Sequence, residues 1–289
     1  DGTSVLQNSA GGAITSVENL TLEDCEFSNN VSGNGGGALS HIRGILIIRR
    51  CEFLGNMDLG LDGDGFGGAI NIQAQANYTT SGLSFLDDVI FRNNSAIGTN
   101  SANGGAFSAR GLDFVGNSSS IVPLVYLNKV EMSNNTASGD TANGGAIYIR
   151  ISEIYADNSN IFNNTADGTT LARGGAFFAF HLETDRFGSY YGFETTTFSG
   201  NRARGNTALG GATSSDLVGG EFVNTTFSAN VAESTGDIST DVAHGGAIHI
   251  VDDFLDIVNC TIVNNVAEGT GILDGAGIYL GQAVMNPII

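Results

Sequence analysis

Gly-Gly-Ala, followed in most copies by an apolar residue, recurs along this chain and constrains its fold more than any other feature. It reads Gly11-Gly12-Ala13-Ile14, Gly36-Gly37-Ala38-Leu39, Gly67-Gly68-Ala69-Ile70, Gly104-Gly105-Ala106-Phe107 and Gly144-Gly145-Ala146-Ile147. It continues as Gly174-Gly175-Ala176-Phe177, Gly210-Gly211-Ala212-Thr213 and Gly245-Gly246-Ala247-Ile248, with a degenerate copy at Gly275-Ala276-Gly277-Ile278. Copies stand about 25 to 40 residues apart, the range in which a fixed motif marks stacked repeats rather than independent domains.

A second motif, Phe-x-Asn-Asn or a variant, precedes each later copy. It reads Phe27-Ser28-Asn29-Asn30, Phe53-Leu54-Gly55-Asn56, Phe91-Arg92-Asn93-Asn94, Met132-Ser133-Asn134-Asn135 and Ile161-Phe162-Asn163-Asn164. Then come Phe198-Ser199-Gly200-Asn201, Phe227-Ser228-Ala229-Asn230 and Ile262-Val263-Asn264-Asn265. Phe114-Val115-Gly116-Asn117 fits too, but lacks a Gly-Gly-Ala of its own and reads as a decoy inside one enlarged coil. Farther upstream sit apolar pairs such as Leu20 and Leu22, Leu46 and Ile48, or Val125 and Leu127. A polar break follows, and then a small or β-branched residue two before the aromatic: Cys25, Cys51, Val89, Val130, Ser159, Thr196, Thr225, Cys260.

Each unit therefore holds three short alternating segments: Gly-Ala-Φ-x-Φ, then φ-x-φ, then small-x-Phe. Period-two alternation marks strands with one buried face. The pattern predicts an all-β fold, a right-handed three-sided parallel β-helix of about nine coils, running as one solenoid over residues 1–289. Phe27, Phe53, Phe91, Met132, Ile161, Phe198, Phe227 and Ile262 should then stack about 4.8 Å apart in an inner ladder. Asn30, Asn56, Asn94, Asn135, Asn164, Asn201, Asn230 and Asn265 should form a second ladder, with amides bonding along the axis. Asn tolerates the left-handed backbone region, and glycine replaces the first Asn of the pair at Gly55 and Gly200, as such a position requires. Residues that recur in every coil are structural before they are catalytic. Variable segments leave after the Asn pair (Met57 to Phe66, Ser95 to Asn103, Val231 to His244) and after Gly-Gly-Ala (Gln73 to Gly82, Ser108 to Pro123, Phe180 to Tyr190), and binding is expected there.

Composition excludes several classes. With 42 glycines but only 2 prolines, neither collagen nor a disordered linker fits. No apolar run reaches about 18 residues, so no helix is expected to insert in a membrane. The formal net charge is -19, and Lys129 is the sole lysine, which argues against nucleic acid and anionic membrane surfaces as partners. Cations, basic proteins and neutral glycans fit better. The chain opens at Asp1 without Met or signal peptide and has no polar cap at either end, so a slice of a longer protein is expected, with self-association through open strand edges.

The alternation of Gly-Gly-Ala-Ile with Phe-x-x-Asn, from Val5 to about Leu280, resembles the tandem repeat of the polymorphic outer-membrane protein family. Those are autotransporter-type surface proteins whose repeats build a passenger β-helix, in the wider pectin-lyase-like parallel β-helix architecture. The resemblance implies a place outside the cell and adhesion to host or neighbouring surfaces. The chain departs from the family in carrying no autotransporter barrel and only 3 cysteines.

Chemistry-bearing residues are few. Cys25 and Cys51 hold equivalent positions in adjacent coils, either as stacked inward thiols or as a disulfide, since the coil spacing allows one. Asp58, Asp62 and Asp64 lie in Asp-x-x-x-Asp-Gly-Asp-Gly, where a glycine turn presents hard carboxylates to calcium or simply to solvent; no other cofactor is expected. Of nine Asn-x-Ser/Thr sequons, Asn77, Asn117, Asn224 and Asn259 lie in loops or polar breaks and suit glycosylation in a secretory pathway.

The reading is a non-catalytic extracellular rod, structural or adhesive, whose partners are other surface or filament proteins or glycans. Two alternatives stand beside it. A polysaccharide lyase or hydrolase would use Asp87-Asp88 or Asp252-Asp253, but no basic partner is near them in sequence. His41, His181 and His249 are isolated, the last alternating outward, and His244-Gly245 lacks the preceding glycine of the polygalacturonase Gly-His-Gly signature. An ice-binding face would need aligned threonines, and only Thr195 to Thr197 and Thr225-Thr226 align.

Overall fold

Strands of successive repeats pair side by side and parallel along the chain in a computed structural model, which describes residues 3–4, 10–74, 82–113, 120–181, 189–236, 240–252 and 254–281. Three parallel sheets result, which makes the protein a three-sided parallel β-solenoid. On the glycine–alanine face, nine strands run from Ile14–Ser16 through Ile70–Gln73, Phe107–Arg110 and Ile147–Arg150 to Ile278–Gly281. Each begins just after its Gly-Gly-Ala, in fixed register: Ile70 pairs with Phe107, Phe107 with Ile147, Ile147 with Phe177.

The other two sides differ from the expected ones. The φ-x-φ and small-x-Phe segments share one sheet, the phenylalanine face. There Ile45–Leu54 and Leu83–Arg92 are single strands spanning both segments, while later coils split into pairs such as Leu124–Asn128 and Glu131–Ser133. One residue between the segments is left-handed in each coil: Asp24, Arg50, Asp88, Lys129, Asn158, Thr195, Asn224 and Asn259, with φ from 48° to 56°. It bends the sheet without ending it.

The third side lies in stretches that read from sequence as variable loops. Ser95–Ile97 and Ser101–Asn103 pair with the two halves of Thr136–Asn143, and that strand pairs with Thr165–Arg173. This sheet is folded on itself. Two columns of alanine, Ala96/Ala137/Ala166/Ala203/Ala232 and Ala102/Ala142/Ala172/Ala208/Ala243, are fully buried and pack together as a cluster apart from the main core. A strand carrying one alanine as its inward residue gives no apolar alternation, which is why the pattern hides it.

Side-chain columns fill the main core. Phe27 stacks on Phe53 and Phe53 on Phe91, with ring centroids 5.0 Å apart in each case. The same register carries Met132, Ile161, Phe198, Phe227 and Ile262. Fully burying one such ring contributes about 1.5–3 kcal/mol relative to exposure. Where the core narrows, neighbours compensate: Gly220 has no side chain, and the ring of Tyr191 occupies the space its Cβ would fill.

Beside this ladder runs the asparagine column. The Asn94 backbone N–H and Nδ2 both donate to Asn135 Oδ1 (each 3.0 Å), and Asn135 does the same to Asn164 (each 2.9 Å). The second Nδ2 hydrogen of each reaches back to a core carbonyl, as Asn135 does to Phe91 O at 3.1 Å. The pattern holds from Asn30 and Asn56 through Asn201 and Asn230 to Asn265. The first residue of each pair is instead left-handed and leaves the amide ladder to its neighbour: Asn29, Asn93, Asn134, Asn163 and Asn264 have φ of 54–58°.

Candidate functional site

The sequence-predicted polar residues do not meet at one centre. Asp58 is buried and already occupied: Oδ1 accepts from the Ser32 hydroxyl (2.7 Å) and the Gly35 N–H (2.8 Å), and Oδ2 from the Phe66 N–H (2.7 Å). It clips its own turn to the preceding coil. Asp64 accepts from Ser101 Oγ at 2.8 Å, and the exposed Asp62 accepts from the Asp64 N–H at 3.3 Å. Among the described residues no three of His, Cys, Asp and Glu group as metal ligands.

Burial pushes the Asp58 carboxyl above its ordinary value, while the Phe66 N–H, the Ser32 hydroxyl and further backbone donors pull it back. Asp58→Asn aims an amide N–H at one of these donors, and a cost of about 2 kcal/mol is expected at neutral pH. A raised folded-state value means that the aspartate's contribution is full below the unfolded value and is lost as pH rises through the folded one. The wild type's margin over Asp58→Asn should therefore widen as pH falls. Urea unfolding of both proteins at pH 3, 5 and 7 checks this; a margin that widens toward pH 7 contradicts it.

Cys25 and Cys51 are both free thiols. The Cys25 N–H donates to Cys51 Sγ at 3.4 Å, while the thiols donate to Glu23 O and Arg49 O at 3.0 and 3.2 Å. Asn224 and Asn259 are exposed at left-handed positions; Asn77 and Asn117 lie outside the described residues. Asp87 accepts from Asn128 Nδ2 at 2.7 Å, Asp88 and Asp252 are left-handed corner residues, and Asp253 lies outside the described residues. Thr196 and Thr225 turn inward and donate to Glu194 O and Val223 O, so they add nothing to a flat outer face. His249 does sit on the outer side of its strand, yet it is buried. Its ring stacks on Tyr279 at 5.3 Å, Nδ1 lies 3.2 Å from Ser214 Oγ, and burial, with the charges of His244 and Arg173, pushes it down to about 3.

A site that the pattern reading missed lies on the outside of the phenylalanine face. The residue between the two inward positions of each φ-x-φ segment points outward, and register stacks Ile47, Phe85, Tyr126, Tyr155, Gly192 and Glu221 in one column. Phe85 and Tyr126 stack at 5.3 Å, Tyr126 and Tyr155 at 5.6 Å. Gly192 then removes the side chain, and the ridge crosses to the next column through Tyr190, 5.8 Å from Tyr155, and on to Phe254 at 6.3 Å. Phe85 is 39% and Tyr126 38% exposed, so the stacked rings form a contiguous apolar ridge open to solvent.

Beside the ridge opens a notch of about 280 Å³, lined by Tyr126, Tyr155, Gly192, Asp157, Glu194 and Glu221 among others. A Cβ at Gly192 would sit 3.1 Å from the Tyr155 ring and 3.3 Å from Glu221 Oε1, so the glycine keeps the notch open. Burial first, and the Glu221 charge second, push the Tyr190 phenol up to about 12; burial and Glu153 push Tyr155 up as well. Both stay protonated hydroxyl donors. The surface thus offers apolar ring faces at coil spacing, flanked by carboxylate acceptors and phenol donors. The signal for it in the sequence was Phe85, Tyr126 and Tyr155 at the outward position of consecutive φ-x-φ segments.

Stacked parallel coils with an internal amide ladder define a parallel β-helix, and the candidate surface lies on its outside. Residues 24–41 and 129–150 match the Chlamydia polymorphic membrane protein repeat. The chain is 33% identical over 192 residues to the probable autotransporter YfaL of Escherichia coli (strain K12), a match covering 57% of this chain and 14% of that protein. The chain therefore spans a small part of that relative's length. No solved structure matches it. Two of the repeats are similar to those of polymorphic membrane proteins, and with the autotransporter likeness they place the protein outside the cell, at the cell surface.

Proposed function

We propose that the chain is a non-catalytic adhesive rod that holds a neutral glycan along the aromatic ridge of its phenylalanine face. The observation that carries this reading is the run Phe85–Tyr126–Tyr155–Tyr190, with ring centroids 5.3–5.8 Å apart and a notch beside it. Sugar rings present C–H faces to aromatic planes and hydroxyls at their rims, and Asp157, Glu194 and Glu221 stand where rim hydroxyls would donate. A single ammonium group needs an enclosing cage; a ridge extended over several coils suits a chain of repeating units instead. The net charge of -19 disfavours a polyanion on this face. A rod built of identical backbone ladders keeps such a ridge straight and pre-ordered, which lowers the entropy lost on binding.

The test is a glycan array followed by titration calorimetry with the neutral oligosaccharide that binds best. Tyr126→Ala with Tyr155→Ala should weaken that binding at least tenfold, and a thermal melt checks that the double variant remains folded. Gly192→Val should weaken it by closing the notch. Unchanged affinity in both variants, or no neutral glycan bound at all, refutes the reading. New reducing ends or unsaturated sugars after incubation would mark an enzyme instead.

A further inference from the structure

The molecule has a second concave surface, where the outer side of the glycine–alanine face meets the returning strands of the folded alanine sheet. Side chains that point outward from the glycine–alanine face are here roofed over: Asn71, Ser108, Tyr148, Phe178, Ser214 and His249 form one column, each at most 7% exposed. Toward one end the corner widens into a groove of about 370 Å³, lined from both sheets by residues that include Arg173, Leu209, Ser214, Asp216, His244 and Tyr279.

Three arginines project into this corner. Arg110 and Arg150 are register partners in adjacent coils, and Arg173 comes from the opposing wall. The Arg110 guanidinium lies 3.3 Å above the Phe66 ring centroid, and that of Arg173 lies 4.3 Å from Phe178. All three act electrostatically on the buried Tyr148.

Their pairing is unlike that of the other arginines. The chain carries 30 acidic residues against 11 Lys and Arg. Arg43, Arg49, Arg50, Arg92, Arg202 and Arg204 each sit in an ion pair with Glu18, Glu23, Asp24, Glu131, Glu233 or Asp167. Among the described residues, the arginines without a carboxylate ion pair are Arg110, Arg150 and Arg173. Among the described residues the Arg110 side chain donates to the neutral Gln73 (3.1 Å) and that of Arg173 to Asn143 (2.8 Å), while Asp58 and Asp62 act on Arg110, and Asp216 on Arg173, without forming an ion pair. The Nε atoms of Arg110 and Arg150 are buried without a hydrogen-bond partner, as are Asn71 Oδ1 and Ser108 Oγ on the floor below. Leaving guanidinium donors unmet while carboxylates are in such excess is costly unless something else meets them.

We propose that this corner binds the oxyanion of an acidic sugar, a carboxylate or sulfate group, on Arg110, Arg150 and Arg173. The guanidinium fork matches either group bidentately. The global negative charge does not forbid it, because at physiological salt exposed charges beyond about 8 Å are largely screened, and the one carboxylate among the described residues that line the groove, Asp216, faces Arg173 without pairing with it. The site is on a different face from the aromatic ridge and goes beyond that reading.

The experiment titrates the whole chain with three oligosaccharides of equal length: a sulfated heparin-type oligomer, an oligogalacturonate and a neutral one. The expected result is saturable binding of at least one charged probe, weakened at least tenfold by Arg150→Gln and further by Arg110→Gln with Arg150→Gln. Arg92→Gln removes the same charge on another face and should leave the affinity unchanged. Which charged probe binds tells carboxylate from sulfate. Tyr126→Ala with Tyr155→Ala should not affect it, so failure here and failure of the ridge are separable. Thermal melts of each variant establish that it is folded; among the described residues the Arg150 side chain makes no hydrogen bond, so its replacement should leave the melt unchanged. The proposal is overturned if neither charged probe binds saturably, or if Arg92→Gln weakens binding as much as Arg150→Gln does.

Discussion

Asn135→Ala should cost about 3–5 kcal/mol of unfolding free energy, more than any surface change on this protein. The side chain belongs to two coils besides its own. Its Oδ1 accepts both the backbone N–H and the Nδ2 of Asn94, and its Nδ2 donates to Phe91 O and to Asn164 Oδ1. Truncation leaves the Asn94 donors and the Phe91 carbonyl buried, where no water replaces the lost partner, and each such group costs about 1–3 kcal/mol. Asn135→Asp tests the cause. It keeps the shape and the acceptor but removes both donated bonds and sets a carboxylate against two oxygens, so it should not rescue. Asn134 is the contrast. It is exposed, with φ 55°, and glycine fills the same place at Gly55 and Gly200. Asn134→Gly should change stability by less than about 0.5 kcal/mol. Urea unfolding of the three variants decides it; an Asn135→Ala cost below about 1 kcal/mol would falsify the ladder as a stabilising element.

This asymmetry within one Asn-Asn pair shows what the sequence could and could not say. The recurrence of the pair was visible, and so was the need for a left-handed residue, because Gly55 and Gly200 substitute at one member only. The ladders of Phe27, Phe53 and Phe91 were legible because large apolar residues at equal offsets in a parallel stack can only superimpose. The alanine sheet was not legible. Its inward residue is too small to register as apolar alternation, and its turns vary in length from coil to coil, so Ser95 to Asn103 read as a loop. The aromatic ridge was missed for a related reason. Attention to inward positions treats the residue between them as solvent-facing filler, and only register reveals that Phe85, Tyr126 and Tyr155 fall in one column. The arginine corner was beyond reach altogether. Arg110 and Arg173 are distant in sequence on two different sheets, and what sets them apart is the contact ion pair that each lacks among the described residues.

Gly145→Ala is expected to be at least as damaging, with a loss of about 4 kcal/mol or more from the addition of one methyl group. The two glycines of the motif are required for different reasons. Gly144 has φ 63°, the left-handed turn into the strand. Gly145 has no such backbone need. Its Cβ would overlap the Gly175 carbonyl oxygen of the next coil and lie 2.5 Å from Thr165 C and 2.6 Å from Thr165 N. All three are backbone atoms, and none can swing aside. Gly145 N donates to Gly174 O at 3.1 Å, Ala146 N to Ala176 O at 2.9 Å and Thr165 N to Asn135 O at 2.9 Å, so relief would break ladder bonds on two sheets. Gly82 supplies the control, since among the described residues a Cβ there meets nothing nearer than Gly44 O at 3.7 Å, and Gly82→Ala should be neutral within about 0.5 kcal/mol. Because each coil touches only its neighbours, the damage should be local: hydrogen exchange should lose protection from Thr136–Asn143 to Phe177–Phe180 first, with distant coils protected. A Gly145→Ala protein that unfolds within about 1 kcal/mol of the wild type would mean that the coils do not abut at this corner, and the reason for the most repeated motif in the chain would have to be sought elsewhere.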